Sequence, residues 1–180
     1  MNPKISFLYL ITMVTAMFLA AGCKTPVPDI GSYVTPYGLR ADLIPANLLE
    51  APGPAREVVW LNASRMQKQR NKEDYDYYLD VRYEARAETG LLDIQPGPSL
   101  VIVADGSEMK FSGIGSLNQR SEKGEFVNES AIYEVQASDI RKIAEAKKVV
   151  VRLIGRNGIV VREFGPENFQ RFKKFAASFT

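Results

Sequence analysis

The sequence predicts an α+β domain built mainly on antiparallel strands, as a β-sandwich or open barrel of six to seven strands with two short helices in the C-terminal half. Three observations predict this class. Apolar and charged residues alternate over 75–88, which is typical of a strand with one buried face. The dipeptides Asp105-Gly106 and Asn157-Gly158 each separate two apolar runs, which indicates hairpin turns. Helical periodicity is confined to two stretches after residue 137.

The predicted strands of the N-terminal half begin at 57–61, a run that contains Trp60. The alternating stretch forms the next strand. Its apolar face is expected to pack in the core, and its charged face is expected to be solvated, with ion pairs between strands. The apolar set is Tyr75, Tyr77, Leu79, Val81, Tyr83, Ala85 and Ala87, and the outward set is Asp76, Tyr78, Asp80, Arg82, Glu84, Arg86 and Glu88.

The remaining elements alternate strands with the two helices. Strands 100–104 and 108–111 form the first hairpin, a glycine-bearing loop covers 113–125, and another strand covers 131–135. Ser138 is the predicted N-cap of a short helix, and strands 149–154 and 159–164 form the second hairpin. Pro166 opens the last helix.

The last helix presents a stripe of aromatic side chains. Phe169, Phe172, Ala176 and Phe179 share one face. We expect this face to pack on the sheet. The alternative is contact with a membrane surface, because the opposite face is basic.

Composition limits the chemistry available to the chain. It has 180 residues, one cysteine and no histidine. This excludes catalysis by serine–histidine and cysteine–histidine pairs, zinc held by histidine, and an internal disulfide. No nucleotide-binding or metal-binding motif is present, so we expect neither cofactor nor metal. The chain carries 23 basic and 21 acidic residues, a near balance that predicts no nucleic-acid partner.

The N-terminus has the order of a secretory signal peptide. Lys4 precedes a nearly continuous apolar run over 5–21, which ends in Ala20-Ala21-Gly22-Cys23. This arrangement resembles the lipobox of bacterial lipoprotein precursors. The resemblance implies cleavage after Gly22, with Cys23 as the site of lipid attachment. The alternatives are an uncleaved membrane anchor and a signal peptide without lipidation.

The resemblance and the residue pattern together predict an organisation, with the tether indicated by its prolines, and the resemblance also implies a location. Residues 1–22 would be the signal peptide, 23–55 a lipidated, proline-rich tether, and 56–180 one globular domain. The sequence leaves two alternatives open for the tether: part of it docks on the domain, or all of it is a disordered spacer. The residue after the lipidated cysteine is Lys24, not the aspartate that retains such proteins at the inner membrane. The expected location is therefore the periplasmic leaflet of the outer membrane.

Two functional classes follow from these expectations. The first is a non-enzymatic interaction or accessory module, bound to the membrane by lipid and to an envelope protein or glycan. Its candidate interaction residues are Tyr78, Arg82 and Arg86, on the charged side of the alternating strand. The second is a small envelope hydrolase that uses paired carboxylates. A cleft with two converging acids would favour the hydrolase, and an exposed aromatic patch would favour the binder.

Overall fold

A computed structural model of the chain describes residues 30–70, 72–120 and 124–179. The predicted signal peptide, its cleavage site at Ala20, Ala21 and Gly22, and Cys23 lie outside these residues. Ten strands and two helices occur within them. They are β1 Gly31–Val34, β2 Arg40–Leu43, β3 Glu57–Gln67, β4 Tyr75–Arg86, β5 Pro96–Ala104, β6 Ser107–Ile114, β7 Leu117–Arg120, β8 Phe126–Val135, α1 Ala137–Glu145, β9 Val149–Gly155, β10 Gly158–Glu163 and α2 Pro166–Ala177.

The strands form two open sheets. One has six strands in the order β1-β2-β3-β4-β8-β7, and the other has four in the order β10-β9-β5-β6. Every pairing between the named strands is antiparallel. The predicted class is confirmed, as a mostly antiparallel domain with two short late helices and no closure into a barrel. The strand number exceeds the predicted six to seven because β1, β2 and β7 are short and lie in segments rich in turn residues.

One hydrophobic core joins both sheets and both helices. Alternation in β4 turns Leu79, Val81 and Tyr83 inward, as predicted from the sequence. The four-stranded sheet contributes apolar residues of β5 and β9, and the helices contribute their apolar faces. The largest fully buried apolar side chains are Ile44, Leu61, Leu79, Leu100, Ile102, Tyr133, Ile140, Ile143, Leu153, Phe172 and Phe175. Strand β6 passes close to β8 at Gly113, where a Cβ atom would lie 3.0 Å from the Tyr133 ring.

The helices begin and end near their predicted positions. The first is capped by Gln136 and not by Ser138, and the Asp139 side chain accepts the backbone N–H of Gln136 at 2.9 Å. The second begins at Pro166, as predicted. Its Phe172 and Phe175 are fully buried, so the aromatic stripe packs in the core and the membrane-contact alternative is wrong.

The chain joins the fold well before residue 56, where the sequence placed the domain boundary. Strand β2 pairs with β3, and Ile44 behind it is fully buried. Leu48 and Glu50 form isolated bridges with Trp60 and Glu163. The prolines of this segment are typical of an extended tether, but they lie between short paired stretches of chain. Residues 31–50 therefore belong to the domain, and the predicted boundary is corrected to this extent.

Candidate functional site

The solvent-facing side of the six-stranded sheet carries many exposed apolar side chains. We call this side the outer face, formed by the strand positions that alternate with the core positions. In β4 these positions are occupied by Tyr78, Asp80 and Arg82, and in β8 by Ile132. Exposed apolar side chains on this face are Tyr33, Leu48, Val58, Met66, Leu117, Phe126 and Ile132. Such a concentration on one face of a sheet is typical of a binding surface.

A groove of about 350 Å³ crosses the outer face from β1 to β8. We call it the Asp80 groove. Its floor follows one line of the register, in which Asp80 of β4 lies between Asn62 of β3 and Ile132 of β8. Most of its surface is apolar. Its lining residues are Tyr33, Ala41, Asp42, Leu43, Asn62, Ser64, Arg65, Met66, Tyr78, Asp80 and Ile132.

The Asp80 carboxylate has no hydrogen-bond or ion-pair partner among the residues that the structure describes. Burial raises its pKa above the ordinary value, and the positive charge of Arg82 acts in the opposite direction. Arg82 is next to Asp80 on the same face, but it is engaged elsewhere. Its guanidinium lies 2.9 Å from the Glu84 carboxylate and stacks 5.0 Å from the centre of the Trp60 ring. Asp80 is therefore an unneutralised acid in a largely apolar groove.

The phenol of Tyr78 forms part of the groove wall. Burial raises the pKa of Tyr78, and the nearby carboxylates of Asp76 and Glu134 raise it further. The phenol is therefore neutral at physiological pH and can both donate and accept a hydrogen bond. Tyr33 from β1 lines the groove as well and is 54% exposed.

An ion pair on the inner side of the sheet fixes the strands that carry the groove. Asp42 of β2 accepts hydrogen bonds from Arg65 at 2.8 Å, from Ser32 at 2.5 Å and from Arg40 at 3.1 Å. Burial alone would raise the pKa of Asp42, but these three hydrogen bonds bring it below its ordinary value. Arg65 also donates to the backbone carbonyl of Ser178 at 2.8 Å, which ties β3 to the end of α2.

The structure separates the three interaction residues suggested by the sequence. Tyr78 lines the groove, Arg82 lies beside it, and Arg86 lies at the far end of β4, opposite Phe126. Tyr78 and Arg86 are eight positions apart, which corresponds to about 27 Å along a strand. Arg82 pairs along its own strand with Glu84, and this pair differs from the expected ion pairs between strands.

The alternation over 75–88 predicts a solvated face for Asp80 and contains no sign of the groove. Ile132 carried a usable signal, because alternation over 131–135 places it opposite to the buried Ala131 and Tyr133. An apolar side chain at an outward position of a central strand is a sign of a binding face. Met66 and Tyr33 have no such signal, because Met66 lies beyond the strand predicted at 57–61 and Tyr33 lies in the predicted tether.

The groove offers one available carboxylate. Of its described lining residues, Asp42 and Asp80 are acidic, and Asp42 is bound by two arginines. Glu134 lies diagonally across from Asp80, but it is exposed and does not line the groove. A converging pair of acids, which the hydrolase hypothesis requires, is not found at this groove. Residues 30–70, 72–120 and 124–179 also contain no cluster of acids or cysteines that could hold a metal ion.

Comparison with known proteins gives no match to a family model, to a curated protein or to a solved structure. In the described part of the chain, neither helix has the length and apolar character needed to cross a membrane.

Proposed function

We propose that this protein is a lipid-anchored module of the bacterial cell envelope that binds an envelope protein through its outer face and performs no catalysis of its own. One observation carries the binding function. Exposed apolar side chains and a groove with an unneutralised acid lie together on one face of a rigid sheet. An exposed apolar face with an acid in a groove is typical of a binding surface, whereas a hydrolytic site that uses paired carboxylates needs a second acid.

The anchor is supported by the lipobox-like sequence that ends at Cys23, and the position of the first strand limits how far an anchored domain would lie from the membrane. Seven residues separate Cys23 from Gly31, where β1 begins. Even fully extended, such a segment reaches at most about 29 Å. The domain would therefore stay close to the lipid surface, with β1 and Tyr33 near the anchored end. Lys24 supports the outer membrane as the place of attachment.

The anchor predicts the behaviour of a Cys23→Ala variant. Acyl chains contribute about 0.8 kcal/mol per buried CH₂, and two or more chains hold a protein stably on a membrane. The variant should therefore appear as an unprocessed precursor or as a protein released from the membrane fraction. Lys24→Asp is the matched control, because it keeps the lipid and should move the protein to the inner membrane. Mass spectrometry of the wild type that finds an unmodified Cys23 thiol would contradict the anchor.

Photo-crosslinking in intact cells tests the binding function. A photoreactive residue placed on the outer face should capture a defined protein of the envelope. The same residue on the solvent side of the four-stranded sheet, at Ile159, provides the matched control, since this position is also apolar and 62% exposed.

A further inference from the structure

The chemistry of the Asp80 groove indicates what its partner presents. We propose that the groove receives a lysine or arginine side chain from an extended, otherwise apolar segment of the partner protein. This inference rests on the proposed binding function and specifies the ligand of the same surface.

Charge is the first argument. A partly buried carboxylate without a partner is unfavourable, because burial removes water that would otherwise solvate it. The neighbouring Arg82 does not neutralise the Asp80 carboxylate, because its guanidinium is held by Glu84 at 2.9 Å and by the face of Trp60. Lys68, which follows β3, is engaged by Asp74 and Asp76, each at 3.3 Å. The groove is therefore complementary to a cation supplied from outside.

The apolar walls and the size of the groove also fit a long basic side chain. Apolar walls suit the methylene stem of a long basic side chain, while its charged head reaches the acid on the floor. Ile132 is exposed directly beside Asp80 on β8, and Met66 is exposed on β3 opposite Asp76, so the two side chains can contact apolar parts of the inserted segment. The ring of Tyr78, two residues from Asp80 on the same face, also lines the groove and can contact the cation, while Tyr33 lines the groove farther away, on β1. A volume of about 350 Å³ admits one or two side chains and not a folded domain, and the course of the groove from β1 to β8 suits an extended segment.

A second carboxylate near Asp80 also favours a basic ligand. Glu134 is exposed on β8, diagonally across from Asp80. Two carboxylates on neighbouring strands create a negative potential at the groove, which attracts basic segments and repels acidic ones. An acidic or phosphorylated ligand is therefore disfavoured.

The test uses the mature protein in detergent micelles, with ¹³C-labelled methyl groups of methionine and isoleucine followed by NMR. The probe is the peptide acetyl-Val-Lys-Val-amide, and its neutral counterpart carries norleucine in place of lysine. We expect the methyl signals of Met66 and Ile132 to shift saturably with the lysine peptide. The norleucine peptide should bind at least about tenfold more weakly, as should the lysine peptide to Asp80→Asn. Glu88→Gln, an exposed acid beyond β4, should bind like the wild type.

Folding of the variant is checked separately. Because burial raises the pKa of Asp80, its ionised form opposes folding at neutral pH, and this cost grows as the pH rises through the folded pKa. Asp80→Asn should therefore unfold at an equal or higher denaturant concentration than the wild type. A lower midpoint would show that Asp80 stabilises the fold instead.

Three results would overturn the inference: no shift with the lysine peptide, equal binding of the norleucine peptide, or equal binding by Asp80→Asn. Shifts that depend on protein concentration without peptide would identify a second copy of the chain as the occupant, and this too would overturn it. Crosslinks from the outer face in cells, combined with any of these results, would leave the binding function standing and reject only the basic ligand.

Discussion

Replacing Glu129 with alanine should destabilise the domain by roughly 3–5 kcal/mol. Glu129 lies on β8 and is completely buried. Its carboxylate accepts the backbone N–H groups of Asp93 and Ile94 at 2.8 and 2.9 Å and the hydroxyl of Ser116 at 2.8 Å. The substitution removes the acceptor for two backbone donors and leaves a cavity. The connection between β4 and β5 would then lose its two backbone hydrogen bonds to Glu129 of the six-stranded sheet.

A urea titration of each variant measures this effect. Glu125→Ala is the matched control, because Glu125 is exposed and lies just before the same strand. Glu129→Gln should fall between the two, since its amide keeps one acceptor oxygen but places a donor against an N–H group. An unchanged midpoint for Glu129→Ala would show that the buried carboxylate does not hold this connection.

Replacing Phe172 with alanine should cost a similar amount, about 3–5 kcal/mol. The Phe172 ring is fully buried, and its centre lies 5.0 Å from that of Phe164, the residue that follows β10. Truncation removes the contact between α2 and the end of the four-stranded sheet and leaves a cavity between them. A loss of this size is a large share of the 5–15 kcal/mol that stabilises an ordinary domain.

The denaturant midpoint of the purified protein is the measurement. Lys173→Ala, on the exposed side of the same helix, should leave the midpoint nearly unchanged because alanine keeps the helical propensity. If Phe172→Ala unfolds at the wild-type midpoint, the helix does not close the core.

The strongest sequence patterns predicted the corresponding parts of the fold. Alternation over β4 placed Leu79, Val81 and Tyr83 in the core, because strand geometry leaves few other ways to bury those side chains. The hairpin at Asp105-Gly106 was likewise predictable, since both residues adopt the positive φ that the tight turn requires.

The N-terminal strands were not predictable in this way. β1 and β2 have four residues each, too few for a periodic signal, and they are held by pairing, β1 with β2 and β2 with β3. The buried ion pair between Asp42 and Arg65 joins residues 23 positions apart. Local propensity contains no information about such a contact, so the sequence alone predicts a tether for this segment.

The groove could not be predicted from the sequence for a related reason. Asp80 and Arg82 were expected to form ion pairs between strands, because a sequence gives the order of charges but not their partners. In the fold Arg82 pairs with Glu84 and stacks on Trp60, and Asp80 is left without a cation from the described residues. Tyr78 was predicted on the exposed side because alternation alone determines its face. Tyr33 and Ile132 line the same groove as Tyr78 only because strands distant in sequence pair in the sheet.

Photo-crosslinking from the outer face is the most direct measurement of the proposed binding function. A photoreactive phenylalanine analogue would be placed at Met66 or Ile132, and at Ile159 as the control, in cells that express the full-length protein. We expect both outer-face positions to capture the same envelope protein and the control to capture none. Asp80→Asn, combined with the probe at Ile132, should reduce that product. Crosslinks from Ile159 without crosslinks from Met66 and Ile132 would contradict the assignment of the outer face as the binding surface.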